Sequence, residues 1–152
     1  MLDRRPVTRE TVLPLAALKV RPDQPRLVAE NAVTIAQAAH EPGAQVWGLW
    51  EAGRPVGLMA MVDRRAGVVW HPEDDRETAY LWRLMIDGAA QGKGHGRAAL
   101  CEALRQTRDW GLPRLVATVV DEPHSNLGFY LKFGFRCTGR VVDGEIEIAL
   151  DA

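Results

Sequence analysis

Only one serine occurs in the 152 residues, Ser125. It stands beside His124 but outside any G-x-S-x-G turn, which excludes the nucleophile elbow of a serine hydrolase. There are two cysteines, Cys101 and Cys137, far apart in the chain. So sparse a pair makes no disulfide framework and suits small, half-buried, reduced thiols in a cytoplasmic protein. His40, His71, His95 and His124 show no zinc-ligand spacing with one another or with the cysteines, so no metal is expected. No apolar run reaches the roughly 18 residues of a membrane span. The N-terminal MLDRRPVTRE has no apolar segment behind its charges and does not read as a secretory signal. The formal net charge is −1, so no global field draws the chain to nucleic acid or to an anionic membrane. Neither is expected as a partner.

What is present suits an ordinary domain spanning residues 1–152, long enough to bury a core. No internal repeat, low-complexity tract or linker divides it. Pro6 to Val12 reads as a first strand and Leu13 to Val20 as a short helix. RPDQPRLV (21–28), with two prolines, reads as a break. Asn31 is placed to cap a helix running to about Ala39, stopped by Pro42-Gly43. VWGLWEAGRPVGLMAMVD (46–63) reads as two apolar strands around a turn at Glu51–Pro55. AYLWRLMI (79–86) is almost continuously apolar, as a central strand covered on both faces would be. After it, Ala99, Leu100, Ala103, Leu104, Thr107 and Trp110 or Gly111 make one helix stripe, ended by Gly111 and Pro113. Arg114–Val120 reads as a strand and Leu127–Lys132 as a short helix stopping at Gly134. Cys137–Val142 and Glu145–Leu150 form a hairpin across Asp143-Gly144. The resulting order, β, α, α, β, β, β, α, β, α, β, β, is a mixed α/β (α+β) domain with a largely antiparallel sheet.

QGKGHGRAAL (91–100) joins the central strand to the longest helix. Glycine is costly to order, so Gly92, Gly94 and Gly96 in alternation need a reason. A strand feeding a glycine-rich turn that opens a helix is the design of an anion site. The first helical N–H groups have no internal partner and carry partial positive charge. Glycines let a phosphate approach that backbone. A nucleotide P-loop needs G-x-x-x-x-G-K-[ST]. Here Gly88 and Gly92-Lys93 are one residue short, and Gly94 stands where the metal-binding hydroxyl belongs. The dinucleotide fingerprint G-x-G-x-x-G is not matched by G-x-G-x-G, and no acidic residue follows at a strand end some 20 residues on. Q-x-x-G-x-G is matched by Gln91, Gly94 and Gly96. The plain alternative is a flexible loop ahead of a surface helix.

YLWRLMIDGAAQGKGHGRAAL (80–100) and GFYLKFGF (128–135) together resemble the GNAT superfamily of acyl-CoA-dependent N-acetyltransferases. RPDQ…VAEN (21–31) and TGRVVDGEIEIAL (138–150) are similar to its bacterial diamine and spermine/spermidine acetyltransferase branch. The resemblance implies a sheet of about seven strands flanked by about four helices, with a splay between the fourth and fifth strands. It implies acetyl-CoA as cosubstrate, its pyrophosphate held by the backbone from Gly92 through Lys93, Gly94, His95 and Gly96 to Arg97. Gln91 would orient the loop. Leu84, Met85 and Ile86 would pair with the pantetheine arm as a pseudo-strand. A backbone N–H near Leu84 or Met85 would hold the oxyanion.

An amine attacks a thioester only when neutral, and free alkylamines have a pKa of about 10, so a base must take a proton. The residues do not say which. By resemblance, Tyr130 donates a proton to the departing thiolate; the plain alternative is a core tyrosine. Phe129, Phe133 and Phe135 read as core, with Phe129 near the coenzyme channel. Many members carry an asparagine seven residues before the tyrosine. Pro123 stands there instead, leaving Ser125 or Asn126 either to contact the coenzyme or to cap a helix. His95 reads as solvated surface against a phosphate contact. A polyamine would need carboxylates and aromatic faces, for which Glu30, Asp63, Asp74, Asp75, Glu77, Trp47, Trp70 and Trp82 are candidates. Glu30-Asn31 ranks first because the first two helices line the acceptor groove in this family. The implied partner is a small-molecule amine, and a homodimer is common in the family. An acyl-CoA-binding module without turnover, or an acetyltransferase for a protein or antibiotic amine, are the other readings.

Overall fold

The computed structural model describes residues 1–24, 27–67 and 70–152. Positions 25 and 26 of the expected break at 21–28 lie outside the described residues. Seven strands form one sheet: β1 (Asp3–Pro6), β2 (Ala44–Glu51), β3 (Arg54–Asp63), β4 (Ala79–Ile86), β5 (Arg114–Val120), β6 (Arg136–Val142) and β7 (Glu145–Asp151). Their spatial order is β1-β2-β3-β4-β5-β7-β6. Every neighbouring pair is antiparallel except β4 with β5. The helices are α1 (Val12–Ala16), α2 (Asn31–Ala38), α3 (His95–Asp109) and α4 (Leu127–Phe133).

Alternation along the strands sends side chains to two faces. On one face Leu49, Met59, Leu81, Leu115 and Ile148 meet Ala99, Leu100 and Ala103 of α3, with Tyr130 and Phe133 of α4 at the edge. On the other, Leu58 and Trp50 pack with Leu15 of α1 and Ile35 of α2. Leu100 is wholly buried. The α3 stripe is thus the expected one, and its end follows the expected means. Gly111 takes φ +71°. Its N–H donates to Arg108 O at 2.8 Å, and that of Leu112 donates to Thr107 O at 3.0 Å. These two bonds make a Schellman cap.

Four local expectations are corrected. The first strand is Asp3–Pro6, not 6–12, because Thr8 to Thr11 already forms the turn into α1: the Thr8 N–H donates to Thr11 Oγ1 at 2.8 Å. Helix α1 stops at Ala16 because Lys19 is held elsewhere. Its N–H donates to Asp87 Oδ1, and its carbonyl accepts from the Gly88 N–H. Asn31 does not cap α2. Glu30 occupies the cap position, while Asn31 is buried as the first helical residue and donates from Nδ2 to Leu15 O at 2.8 Å. Cys101 and Cys137 are exposed rather than half-buried, one on the outer side of α3 and one on edge strand β6. Among the described residues, no helix is long and apolar enough to cross a membrane.

Strand β4 carries the irregularity that matters. Ala60 pairs with Arg83 and Met61 with Leu81, which leaves Trp82 without a partner on β3. This extra residue is a β-bulge, and it bends the strand and resets its alternation. Leu81, Leu84 and Ile86 belong to the α3 side. Tyr80 and Trp82 belong to the opposite face. Arg83 follows Trp82 there, reaching Thr34 and Gln37 of α2.

The α3 core sets the stability of this frame. Leu100→Ala is expected to lower the unfolding free energy by about 2–5 kcal/mol, read as a reduced midpoint in urea denaturation.

Candidate functional site

The site begins where β4 and β5 part. They pair only over Ala79–Leu81 with Leu115–Ala117. Strand β5 continues along β7 to the pair Val120–Glu145. Past Leu81, the edge of β4 that faces β5 therefore has no strand partner. Buried main-chain groups left this way require another acceptor or donor.

At the end of β4 the chain makes a 3-10 turn at Gly88–Ala90 and enters the glycine loop. Gln91 ties the two together, donating from Nε2 to Ile86 O at 3.0 Å and to Gln24 Oε1 at 2.8 Å. Gly92 and Gly94 have φ +76° and +86°. Left-handed backbone at alternate positions turns successive N–H groups into one concavity. A Cβ at either glycine would meet open space, so torsion rather than crowding calls for glycine there. Gly96 differs: a Cβ would lie 3.0 Å from Phe129 Cζ. Among the described residues, the main-chain N–H groups of Gly92 through Arg97 have no acceptor. The first internal bond of the helix is from the Ala98 N–H to Gly94 O, at 3.0 Å.

Side chains of the loop mostly turn away from that concavity. Lys93 Nζ donates to Ala89 O. The Arg97 guanidinium lies over the Phe133 ring, 5.4 Å from its centre. His95 is not solvated surface, as the sequence suggests: it is only 8% exposed, and its Nε2 lies 3.1 Å from Glu51 Oε2. The hydrogen bond from the Met1 amine, with lesser help from His95 and Lys93, holds the Glu51 carboxyl below its usual range. A lone histidine inside a glycine motif does not reveal a partner 44 positions earlier, on β2.

Two cavities open along the splay. The first, about 350 Å³, is lined by Met85, Ile86, Gln91, Gly92, Gly94 and Phe129, with His95, Gly96 and Arg97 also on its wall. The second, about 250 Å³, is lined by Tyr80, Trp82, Arg83, Thr118 and Glu145. Leu84, Asn126 and Tyr130 line both and stand where one passes into the other. Tyr130 is half-buried, in edge contact with Phe129 and Phe135, and burial pushes its phenol well above the usual range. It keeps its proton at neutral pH.

Asn126 holds the N-cap position of α4 without a side-chain cap bond and lines both cavities, while Ser125, one residue before it, accepts the Leu127 N–H on Oγ at 3.3 Å. Glu30 and Asn31 line a separate cavity of about 170 Å³ with Met85. Glu30 is exposed and 3.5 Å from Lys19 Nζ. Glu77 lies ahead of β4, on the paired side of the splay, exposed and outside all three cavities.

Tyr80, Arg83, Thr118 and Glu145 are site-lining residues that spacing did not single out. One signal was available: in EIEIAL (145–150), the alternation sends Glu145 and Glu147 to the same sheet face as each other. Among the described residues, no group of three or more His, Cys, Asp or Glu side chains is placed to hold a metal ion.

A model of the "Acetyltransferase (GNAT) family" matches residues 14–135. No curated protein matches the chain. Solved structures of similar fold include an aminoglycoside acetyltransferase AAC(6')-Ib in complex with coenzyme A. It is 15% identical, with TM-score 0.78, covering 99% of this chain and 95% of that one. The PaiA N-acetyltransferase from Thermoplasma acidophilum, in complex with coenzyme A, is 14% identical with TM-score 0.71, covering 100% and 99%. A GNAT family acetyltransferase from Elizabethkingia anophelis with acetyl-CoA bound is 16% identical with TM-score 0.67, covering 99% and 98%.

The two kinds of loop glycine should respond differently to a methyl group. Gly94→Ala forces a left-handed alanine and is expected to cost about 1–2 kcal/mol of stability. Gly96→Ala, in a helical position where the Phe129 ring need give way by only a few tenths of an ångström, is expected to cost less. Denaturant midpoints of the two variants check the order.

Proposed function

Because this chain belongs to the GNAT family of acetyltransferases, we propose that residues 1–152 act as one acyltransferase unit that moves an acetyl group from acetyl-CoA to a primary amine of a small molecule, by direct attack in a ternary complex. The observation that carries this reading is the run of unpartnered N–H groups, Gly92 through Arg97, opening into a cavity that continues along the unpaired edge of β4 to Tyr130.

Oriented N–H groups at a helix N-terminus hold a diphosphate without needing side-chain cations. In this reading Lys93 and Arg97 add charge at the rim, Gln91 keeps the loop against the strand end, and His95 anchors the first turn of α3 through Glu51. The pantetheine arm takes the strand position that β5 vacates, along Leu84, Met85 and Ile86, with Asn126 and Phe129 on its outer wall. Asn126 stands in for the asparagine that Pro123 displaces. Ser125 serves the arm only by shaping the start of α4. The thioester then lies at the junction of the two cavities, where a backbone N–H at Leu84 or Met85 meets the developing oxyanion.

Tyr130 shares that junction. A half-buried phenol with a raised pKa holds its proton until negative charge develops beside it. A thiolate expelled into the same poorly solvated space is itself a stronger base, so the proton passes where both groups are desolvated. The acceptor enters through the second cavity, past the Trp82 ring. A polyamine such as spermidine is the acceptor favoured by the sequence resemblance.

Free-thiol release from acetyl-CoA over an amine panel tests the reading, with binding measured separately by calorimetry. Tyr130→Phe is expected to lower kcat by about 100-fold and leave acetyl-CoA affinity unchanged. Unchanged turnover would remove Tyr130 from the reaction. Gly94→Asp is expected to abolish acetyl-CoA binding, by placing a carboxylate in the anion concavity. Wild-type affinity in that variant would contradict the loop assignment. Coenzyme binding without thiol release on any amine would favour a sensing module.

A further inference from the structure

The second cavity contains a carboxylate that, among the described residues, no cation touches. Glu145 and Arg83 are the charged residues lining it. Arg83 is engaged by α2, donating from Nη1 to Thr34 Oγ1 at 3.0 Å and to Gln37 Oε1 at 2.6 Å. Glu145 is half-buried and, among the described residues, forms no ion pair. Glu147, two residues along the same strand and face, behaves oppositely: Arg140 Nη1 sits 3.0 Å from it, and Arg140 also pairs with Asp74 at 3.1 Å. A half-buried carboxylate that no cation touches is free to pair with a cationic group that enters the cavity.

Its protein contacts hold one oxygen only. Thr118 Oγ1 donates to Glu145 Oε2 at 2.6 Å. Thr118 has one hydroxyl proton, and that bond uses it. The 2.8 Å contact between Tyr80 and Thr118 hydroxyls must therefore be a donation from Tyr80. Burial raises the Tyr80 phenol above its usual pKa against the Thr118 hydrogen bond, so the donor is present at neutral pH. The chain Tyr80, Thr118, Glu145 spans β4, β5 and β7 and leaves Oε1 without a hydrogen bond among the described residues. Val62, Val116 and Ala149 form an apolar patch on this sheet face. The polar trio interrupts it where the cavity opens.

We propose that Glu145 binds the ammonium of the acceptor and takes its proton, with Thr118 and Tyr80 as positioning residues that hold the carboxylate toward the thioester. The inference rests on the acetyl-transfer reading. One N–H bond of the ammonium breaks, and its proton goes to the Glu145 carboxylate. The freed lone pair forms the C–N bond at the thioester carbonyl. As the tetrahedral intermediate collapses, the C–S bond breaks. Tyr130 protonates the thiolate and is reprotonated by the second proton of the attacking nitrogen. The products are the amide and free coenzyme A, and Glu145 later releases its proton to solvent. The groups facing Glu145 are Tyr80 and Arg83 of β4, Thr118 of β5 and Tyr130 of α4. Farther along the face, Arg64, Asp74, Arg140 and Glu147 are paired among themselves.

The test is steady-state kinetics of the full chain with acetyl-CoA and propylamine, spermidine or lysine amide, across pH. Glu145→Gln is expected to lower kcat/KM for the amine about 100-fold or more, leave KM for acetyl-CoA unchanged, and abolish the acid limb of the pH profile. Glu145→Asp is expected to recover part of the rate. Thr118→Val is expected to lose about tenfold and to shift the acid limb without removing it, a change that a merely structural threonine would not produce; it decides the matter if Glu145→Gln does not fold. Rates within twofold of wild type in Glu145→Gln, with the limb intact, would overturn the assignment and leave the acetyltransferase reading standing. A wild-type chain that acetylates none of the three amines would overturn both.

Discussion

The structure turns on the failure of two adjacent parallel strands to stay paired. Strands β4 and β5 bond over three residues each and then separate. The bulge at Trp82 supplies the bend in β4, while β5 stays in register with β7 to its last residue. An edge opened inside a sheet, with helices on both faces, cannot be left to bulk water without cost. The groove that results runs along the unpaired edge of β4, which suits an extended ligand able to bond as a strand does.

The bulge also places the chemistry. By sending Trp82 and Arg83 to the face already occupied by Tyr80, it keeps Leu84 and Ile86 on the α3 side. One strand thereby contributes to both cavities. The glycine turn follows directly because β4 ends at Ile86, whose carbonyl accepts from Gln91 at the start of the glycine loop. The left-handed glycines Gly92 and Gly94 turn the chain into α3, and the helix begins with its N–H groups bare. Gly96 has a separate cause, the Phe129 ring that a β-carbon there would meet at 3.0 Å. Three glycines in one motif thus answer two different physical demands.

On the opposite face, the pairing of charges divides a structural network from a cavity group. Arg64, Asp74, Arg140 and Glu147 neutralise one another where the sheet is covered. Glu145 lies where the cover ends and is bonded by the Thr118 hydroxyl rather than by a cation. Local sequence gives the two glutamates the same face and the same type. Their difference comes entirely from what reaches them from β5, β6 and the segment before β4.

Most of the fold was legible in the sequence, because periodicity and turn chemistry are local. The apolar run of β4, the stripe of α3, the Gly111 stop and the Asp143-Gly144 hairpin each depend on residues a few positions apart. The glycine loop was legible for the same reason, since φ above zero and a helix start are properties of consecutive residues. Misread were the places governed by distant contacts. Asn31 looked like a cap but is buried against Leu15 and Met85. His95 looked solvated but meets Glu51 from β2. Helix α1 was cut short by Asp87 and Gly88. The sequence by itself determined the order of most elements, the sheet class and the left-handed glycine turn into α3. Only the tertiary structure decided which carboxylate stands unpaired in the groove, because pairing of charges is a matter of distance in space and leaves no periodic trace along the chain.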